Sequence, residues 1–285
     1  MDRARVFYAN ARATTWEYDY SVPAKLEELL IRADLSRYIQ PDEYVAIKMH
    51  LGSHGAYRTV RPIFVRKVVE AVKAVGGKPF IAETTRIQGL DYLEVAAANG
   101  YTHLTCGAPI IMADGIFGRD TIPVKVENGQ LIQEIGVASA IYDAPAMIVL
   151  SHCKGHIDPG YGGAIKNLAM GGVGARTRCN HVNRGNLHST ARRPPLWTKD
   201  KCTWCGHCEK VCPVSAITLK KGEAWVVDDA KCDQCGRCAR VCTFGALEMP
   251  ISADLFSRGM AESTRAVLST FAPGKVMYVN FVMEV

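Results

Sequence analysis

The 285 residues contain no apolar run approaching the roughly 18 that a membrane-spanning helix requires, so no membrane span is expected. The first residues, MDRARVFYANARATTW, lack the apolar stretch of a secretory signal. There is no G-x-x-x-x-G-K-[ST], which argues against Walker-type nucleotide hydrolysis. There is also no C-x-x-x-C-x-x-C, the loop that radical S-adenosylmethionine chemistry would need. Acidic residues are missing from the whole stretch between Asp158 and Asp200. The formal net charge of +6 is moderate for this length and gives no reason to expect a nucleic-acid partner. These absences point to a soluble, cytoplasmic chain in a reducing compartment.

Cysteine, by contrast, is plentiful and ordered. Eight of the 11 cysteines fall into two sets with the same spacing, C-x-x-C-x-x-C-x-x-x-C. One set is Cys202, Cys205, Cys208 and Cys212; the other is Cys232, Cys235, Cys238 and Cys242. This is the run that binds [4Fe-4S] cubes in bacterial ferredoxins, with the fourth cysteine serving the other cluster. The expected ligand sets are therefore crossed. Cys202, Cys205, Cys208 and Cys242 hold one cube, and Cys232, Cys235, Cys238 and Cys212 hold the second. Zinc sites pair two C-x-x-C hooks across a longer loop and do not use triple hooks. Disulfides belong to oxidising compartments, which nothing here indicates. Gly206 and Gly236 occupy equivalent places in the two loops, where the backbone must bend closely round inorganic sulfide. Pro213 follows the first fourth cysteine, whereas Thr243 follows the second, a difference expected to alter packing near Cys242. Two oxidised cubes, each with its thiolates carrying about −2, would bring the net charge to about +2. Oxygen-sensitive clusters suit an anaerobic setting. Cys106, Cys153 and Cys179 remain outside the sets.

Residues 1–195 read as alternating strands and helices, which predicts an α/β domain with a mixed, mostly parallel sheet and helices on both faces. Expected strands are Arg5–Ala9, Tyr44–Met49, Lys78–Ala82 and Ala146–Leu150. Expected helices are Ala24–Ala33, one opening at Pro62, and Leu90–Ala98. Ile122, Val124 and Val126 alternate before Asn128-Gly129, which predicts a hairpin, placed here on an edge of the main sheet. Arg192-Arg-Pro-Pro195 marks a linker into a small α+β ferredoxin-like module at 196–250. Within that module, Lys221-Gly222 is expected to turn a hairpin. Residues 251–285 supply a helix, Ala253–Thr270, and a last strand, Lys275–Val285, expected to return to the α/β sheet. The module would then be an insertion.

A second site is suggested by HIDPGYGGAIKNLAMGGVGARTR, His156 to Arg178. Glycine-rich backbone exposes N–H groups, and a helix starting near Gly163 would aim its positive end at an anion. Gly162, Gly163, Lys166, Arg176 and Arg178 are the candidate binding residues for a small anionic ligand, with His156 and Lys166 in one pocket. The alternative is a basic loop that screens the cluster thiolates or docks an acidic partner. Ligands of open α/β sheets bind beyond the carboxyl ends of the strands. That rule also selects His50 and His54 after the Tyr44 strand, and Glu83 to Arg86 after the next.

The combination of KMHLG, VRPIFVRKVVEAVKAVGGKPFIAETT, GHIDPGYGGAIKNLAMGG and the twin cysteine run resembles the domain-of-unknown-function 362 family along nearly the whole chain. That resemblance implies an iron–sulfur electron carrier of anaerobic organisms. Longer family members continue beyond the last strand, which implies a short form here or a partner that completes the sheet. The α/β part is also similar to the catalytic domain of lactate racemase, a nickel-pincer enzyme, through His156-x3-Gly-x2-Gly-Gly-x2-Lys166 and the Arg58-x-x-Arg61-Pro62 stretch. This likeness implies acid/base roles for His54 and His156 and a cofactor-anchoring role for Lys166, the three candidate catalytic residues.

The expected function is low-potential electron transfer by two [4Fe-4S] clusters to a partner reductase docked through the α/β domain. The alternative is an iron–sulfur oxidoreductase that binds a small anionic substrate at the His156/Lys166 loop.

Overall fold

The computed structural model describes residues 4–85, 89–156, 159–175, 187, 194–232, 236–250 and 253–283. Five parallel strands build the main sheet: β1 (Tyr44–Lys48), β2 (Lys78–Glu83), β3 (Ile110–Met112), β6 (Ala146–His152) and β13 (Val276–Phe281). Their order across the sheet is β13-β6-β1-β2-β3. The last strand does return to this sheet, pairing with β6 from Val276↔Met147 to Phe281↔His152.

Both faces of the sheet are buried. Val45, Ile47, Ile81, Ile148 and Leu150 face one core, which includes Phe64, Val65, Val68, Val69 and Val72 of α2 (Pro62–Ala74) and Leu26 and Leu30 of α1 (Val22–Ala33). Ala46, Ala82, Met147 and Val149 face a second core. That core contains Leu168 and Ala169 of the helix Ala164–Gly171 and Phe256, Met260, Ala266 and Val267 of the helix Ala253–Leu268. Period-two alternation in continuous apolar strands thus divides each strand between two cores, as a parallel sheet covered by helices requires. α1 begins where the Ser21 hydroxyl accepts from the Ala24 N–H, and α2 begins at Pro62 in its first turn.

Two expectations are corrected. Arg5–Ala9 forms no strand; Val6 and Tyr8 are 86% and 84% exposed. The 121–138 hairpin forms, but not on the main sheet. β4 (Thr121–Lys125) and β5 (Glu134–Ala138) make a separate antiparallel pair. Val126, Ile132, Ile135 and Val137 bury themselves in the second core, together with the Ala253–Leu268 helix. Glu262 of that helix accepts the backbone N–H groups of Gln130, Leu131 and Ile132 at 2.8–3.3 Å, tying the hairpin loop to the helix.

Residues 196–250 carry a small apolar core of their own around Ile217, Trp225, Cys238 and Leu247. β10 (Ile217–Lys220) and β11 (Ala224–Val227) form the expected hairpin. β9 (Leu196–Trp197) pairs antiparallel with β12 (Leu247–Glu248), bringing the first and last residues of this stretch side by side.

Candidate functional sites

The cysteine stretch builds one site from local geometry. Gly206 and Gly236 adopt φ of 75° and 74°, immediately before the short helices His207–Lys210 and Arg237–Val241. A left-handed residue is needed there to turn each thiol loop into its helix, and glycine takes it without strain. Cys202, Cys205, Cys208 and Cys242 line a single cavity with Trp197, Trp225 and Phe244. Three of these thiols come from the first loop and the fourth from the second. Cys212, from the first run, and Cys238, from the second, pack on the small core. Cys235, the remaining candidate ligand, lies outside the described residues.

The chemistry of the donors fits a four-iron cube. No disulfide joins the described cysteines. Among the described residues no group of three His, Cys, Asp or Glu side chains is placed to hold a metal ion. N–H donors are also present. The His207 backbone N–H bonds the Cys205 sulfur and lowers that thiol's pKa, and the Ala216 N–H lies 3.2 Å from Cys212 Sγ. Burial pushes the Cys208 thiol up, and the nearby Trp225 N–H opposes it. The Trp225 N–H reaches towards that sulfur without a well-aligned bond. The Trp197 and Trp225 indole N–H groups are buried, and among the described residues neither has a well-aligned acceptor. Two unsatisfied donors beside four thiols suit a group that brings acceptors of its own.

The second site is assembled from distant parts of the chain. A cavity of about 870 Å³ opens beyond the carboxyl ends of β1, β2 and β6. His156, Gly162, Gly163 and Lys166 all line it. His156 ends β7 (Lys154–His156), which forms a hairpin with β8 (Gly160–Gly162); Gly163 then caps α6, Ala164–Gly171. This hairpin folds His156 and Lys166 to the same cavity. His54 does not line it, although its neighbours Ser53 and Gly55 do. Every described residue lining the cavity lies between His50 and Ala175 except Phe256, so none comes from 196–250. Arg176 and Arg178 lie outside the described residues.

At the cavity floor sits a buried charged network. Lys48 is fully buried at the end of β1, and its three ammonium protons all find acceptors. Nζ lies 3.1 Å from Glu83 Oε1, 2.7 Å from Asn167 Oδ1 and 2.9 Å from the Met49 carbonyl. Asn167 in turn donates to the Lys48 and Leu150 carbonyls and to Ser151 Oγ, lacing α6 to the ends of β1 and β6. Glu83 Oε1 also accepts the Thr84 N–H at 2.9 Å, and Oε2 meets His50 Nδ1 at 3.1 Å. Burial alone would raise the Glu83 pKa; Lys48, His50 and the Thr84 N–H outweigh it and hold it at about 2. His50 is shifted the other way. Enclosure by the cavity walls lowers its pKa, aided by Lys48 and Lys154 and opposed by Glu83. Its side chain remains 42% exposed, so it is walled in but not sealed.

Gly171 explains part of the glycine motif. A β-carbon there would collide with Lys48 Nζ and Glu83 Oε1. Only glycine lets the end of α6 rest on the ion pair. Asp114, buried, holds the following turn. Its Oδ1 accepts the Thr85 N–H and hydroxyl at 2.7 and 2.8 Å, and its Oδ2 accepts the Ala175 N–H at 2.9 Å.

The cavity lining is cationic. Arg58, Lys154 and Lys166 contribute positive charge, and Glu83, already paired with Lys48, is the one carboxylate among the described lining residues. Leu150, Val60, Met170 and Phe256 supply an apolar wall. Sequence reasoning placed His50 and Glu83 near the strand ends, but not the buried Lys48 between them or Asn167 across from it. A lysine ending an otherwise apolar strand was the available signal.

No described helix is long and apolar enough to cross a membrane. No curated protein matches the sequence significantly. The family described as Domain of unknown function (DUF362) matches residues 45–285, which takes in the main sheet, the cavity and both cysteine sets. The chain therefore belongs to the DUF362 family.

Proposed function

We propose that this protein is a low-potential electron-transfer protein carrying two [4Fe-4S] clusters, which passes single electrons to a partner reductase docked through its α/β domain. The observation that carries this reading is the cavity lined by Cys202, Cys205, Cys208 and Cys242, three thiols from one loop and one from the other. Bound there, a cube supplies reversible one-electron transfer. The protein's own part is to hold four thiolates, to direct the His207 N–H and the Trp225 indole towards their sulfurs, and to wall them with Trp197 and Phe244. Cys232, Cys235, Cys238 and Cys212 would hold the second cube. The module spans 196–250 in this reading and is inserted between 1–195 and 251–285. Reductive titration of anaerobically purified protein tests it. Uptake of about two electrons per chain, with bleaching of a broad visible absorption, is expected. A chain that accepts no electrons at low potential overturns the proposal.

A second reading, an iron–sulfur oxidoreductase with a small anionic substrate, is favoured by the basic cavity at His156 and Lys166. A flavin, nickel or organic chromophore co-purifying with the chain would favour it over the carrier.

A further inference from the structure

We propose that the cavity binds a small organic anion and that His50 is the residue that exchanges a proton with it; this rests on the second reading above. The candidate acid/base residues from sequence were His54 and His156. The structure assigns the role to His50 on three grounds.

The first is orientation. Glu83 is ionised with a pKa of about 2, and its Oε2 stands 3.1 Å from His50 Nδ1. A neutral imidazole next to a carboxylate places its proton on the nitrogen facing that carboxylate. Nδ1 therefore donates to Glu83, and Nε2 is left with a bare lone pair. Among the described residues the hydrogen bond and ion pair of His50 both run through Nδ1, and none runs through Nε2. The second is rigidity. Glu83 is fixed by Lys48 and the Thr84 N–H, and Lys48 by Asn167 and Met49, so the carboxylate orienting His50 cannot swing away. The third is the surroundings. Arg58, Lys154 and Lys166 give the lining the positive charge that draws a carboxylate or phosphate head, with Lys154 also held by the Arg58 carbonyl, and the Leu150, Met170 and Phe256 wall suits the ligand's carbon.

In the proton step, as the anion binds, a proton from solvent bonds to the lone pair of His50 Nε2, and the resulting imidazolium is paired with Glu83. The Nε2–H bond can then break, its electron pair staying on Nε2, as the proton passes to a basic atom of the ligand. Charged groups acting on His50 are Glu83, Lys48 and Lys154, and His152, His156, Arg58 and Lys166 face the same cavity. An anion seated among them favours imidazolium, so binding near neutral pH should draw a proton onto His50.

The test is calorimetry of the intact, cluster-loaded protein with malonate and with inorganic phosphate, in buffers of different ionisation enthalpy. Malonamide serves as the uncharged control. At least one anion should bind saturably with net proton uptake, and the two arms identify the preferred head group. Arg58→Gln and Lys166→Gln should each weaken binding by about tenfold. His50→Gln should still bind the anion while losing the proton uptake. If neither anion binds at millimolar concentration, the anionic-site reading falls and this inference with it. If an anion binds but proton uptake survives His50→Gln, or disappears instead with His152→Gln or His156→Gln, the site stands and the assignment to His50 is overturned.

Discussion

The two sites of this chain are built in opposite ways. The thiol cavity at Cys202, Cys205, Cys208 and Cys242 comes from two short loops some thirty residues apart, each turned by one glycine at positive φ. The α/β cavity draws on the ends of three parallel strands, a β-hairpin and a helix, with Lys48 and Asn167 meeting across 119 positions. The first site places its chemistry in spacing, and its ligands need little else of the fold. The second exists only once the sheet has formed, and its charged floor is part of what holds the sheet and α6 together. Damage to the first should cost cofactor while sparing the α/β fold; damage to the second should cost stability.

The sharpest way to break that contrast is at the ion pair. Glu83→Gln leaves Lys48 buried without its counter-charge and should destabilise the α/β domain by about 3–5 kcal/mol. Chemical denaturation measures this, and the visible spectrum should persist until the domain unfolds. Lys48→Met should cost a similar amount. The double variant should cost clearly less than the sum, because it removes both charges together. Additive losses would mean that the two residues do not act as a pair.

Acid probes the same pair without mutation. The Glu83 carboxyl titrates at about 2 when folded against an ordinary value of 4.5. A depressed carboxylate contributes stability above its unfolded pKa and loses it as pH falls through the folded one. The contribution, on the order of 3 kcal/mol, should therefore be intact above pH 4.5 and vanish towards pH 2. His50, whose pKa is lowered on folding, works in the same direction, since protonation below its ordinary value disfavours the folded state. Glu83→Gln should flatten the steep acid limb; an unchanged limb would place the acid sensitivity elsewhere.

Smaller effects sharpen the picture. Gly171→Ala drives a methyl into Lys48 and Glu83 and should cost about 1–3 kcal/mol, whereas Gly155→Ala, with open space about its β-position, should cost little. Glu262→Gln loosens a carboxylate that takes three backbone N–H groups, and about 1 kcal/mol is expected, read in thermal unfolding.

The same contrast explains what the sequence made legible. Apolar runs such as Ala146–Leu150 and the helical spacing from Phe64 to Val72 identified the sheet and its covering helices, because both signals are local. Arg5–Ala9 misled because strand-like composition does not itself supply a face to bury, and Val6 and Tyr8 stay exposed. The 121–138 hairpin was right in its turn and wrong in its place. Its apolar face is specified by the helix Ala253–Leu268, more than a hundred residues away. The cysteine sets declared a ligand pattern directly. In the cavity, His156 and Lys166 were foreseeable from the glycine-rich run between them. Lys48 looked like the polar end of a strand, and its burial follows only from Glu83 on the neighbouring strand and from Gly171 closing over both.

The central claim, two crossed iron–sulfur clusters, is met most directly by iron and acid-labile sulfide analysis of anaerobically prepared wild-type and Cys242→Ser protein. The account predicts about eight iron and eight sulfide in the wild type. In Cys242→Ser the loss should fall on the cluster held by Cys202, Cys205 and Cys208, leaving about four of each. A wild-type chain holding zinc or no iron, or a Cys242→Ser protein that loses the Cys232 cluster instead, would contradict it.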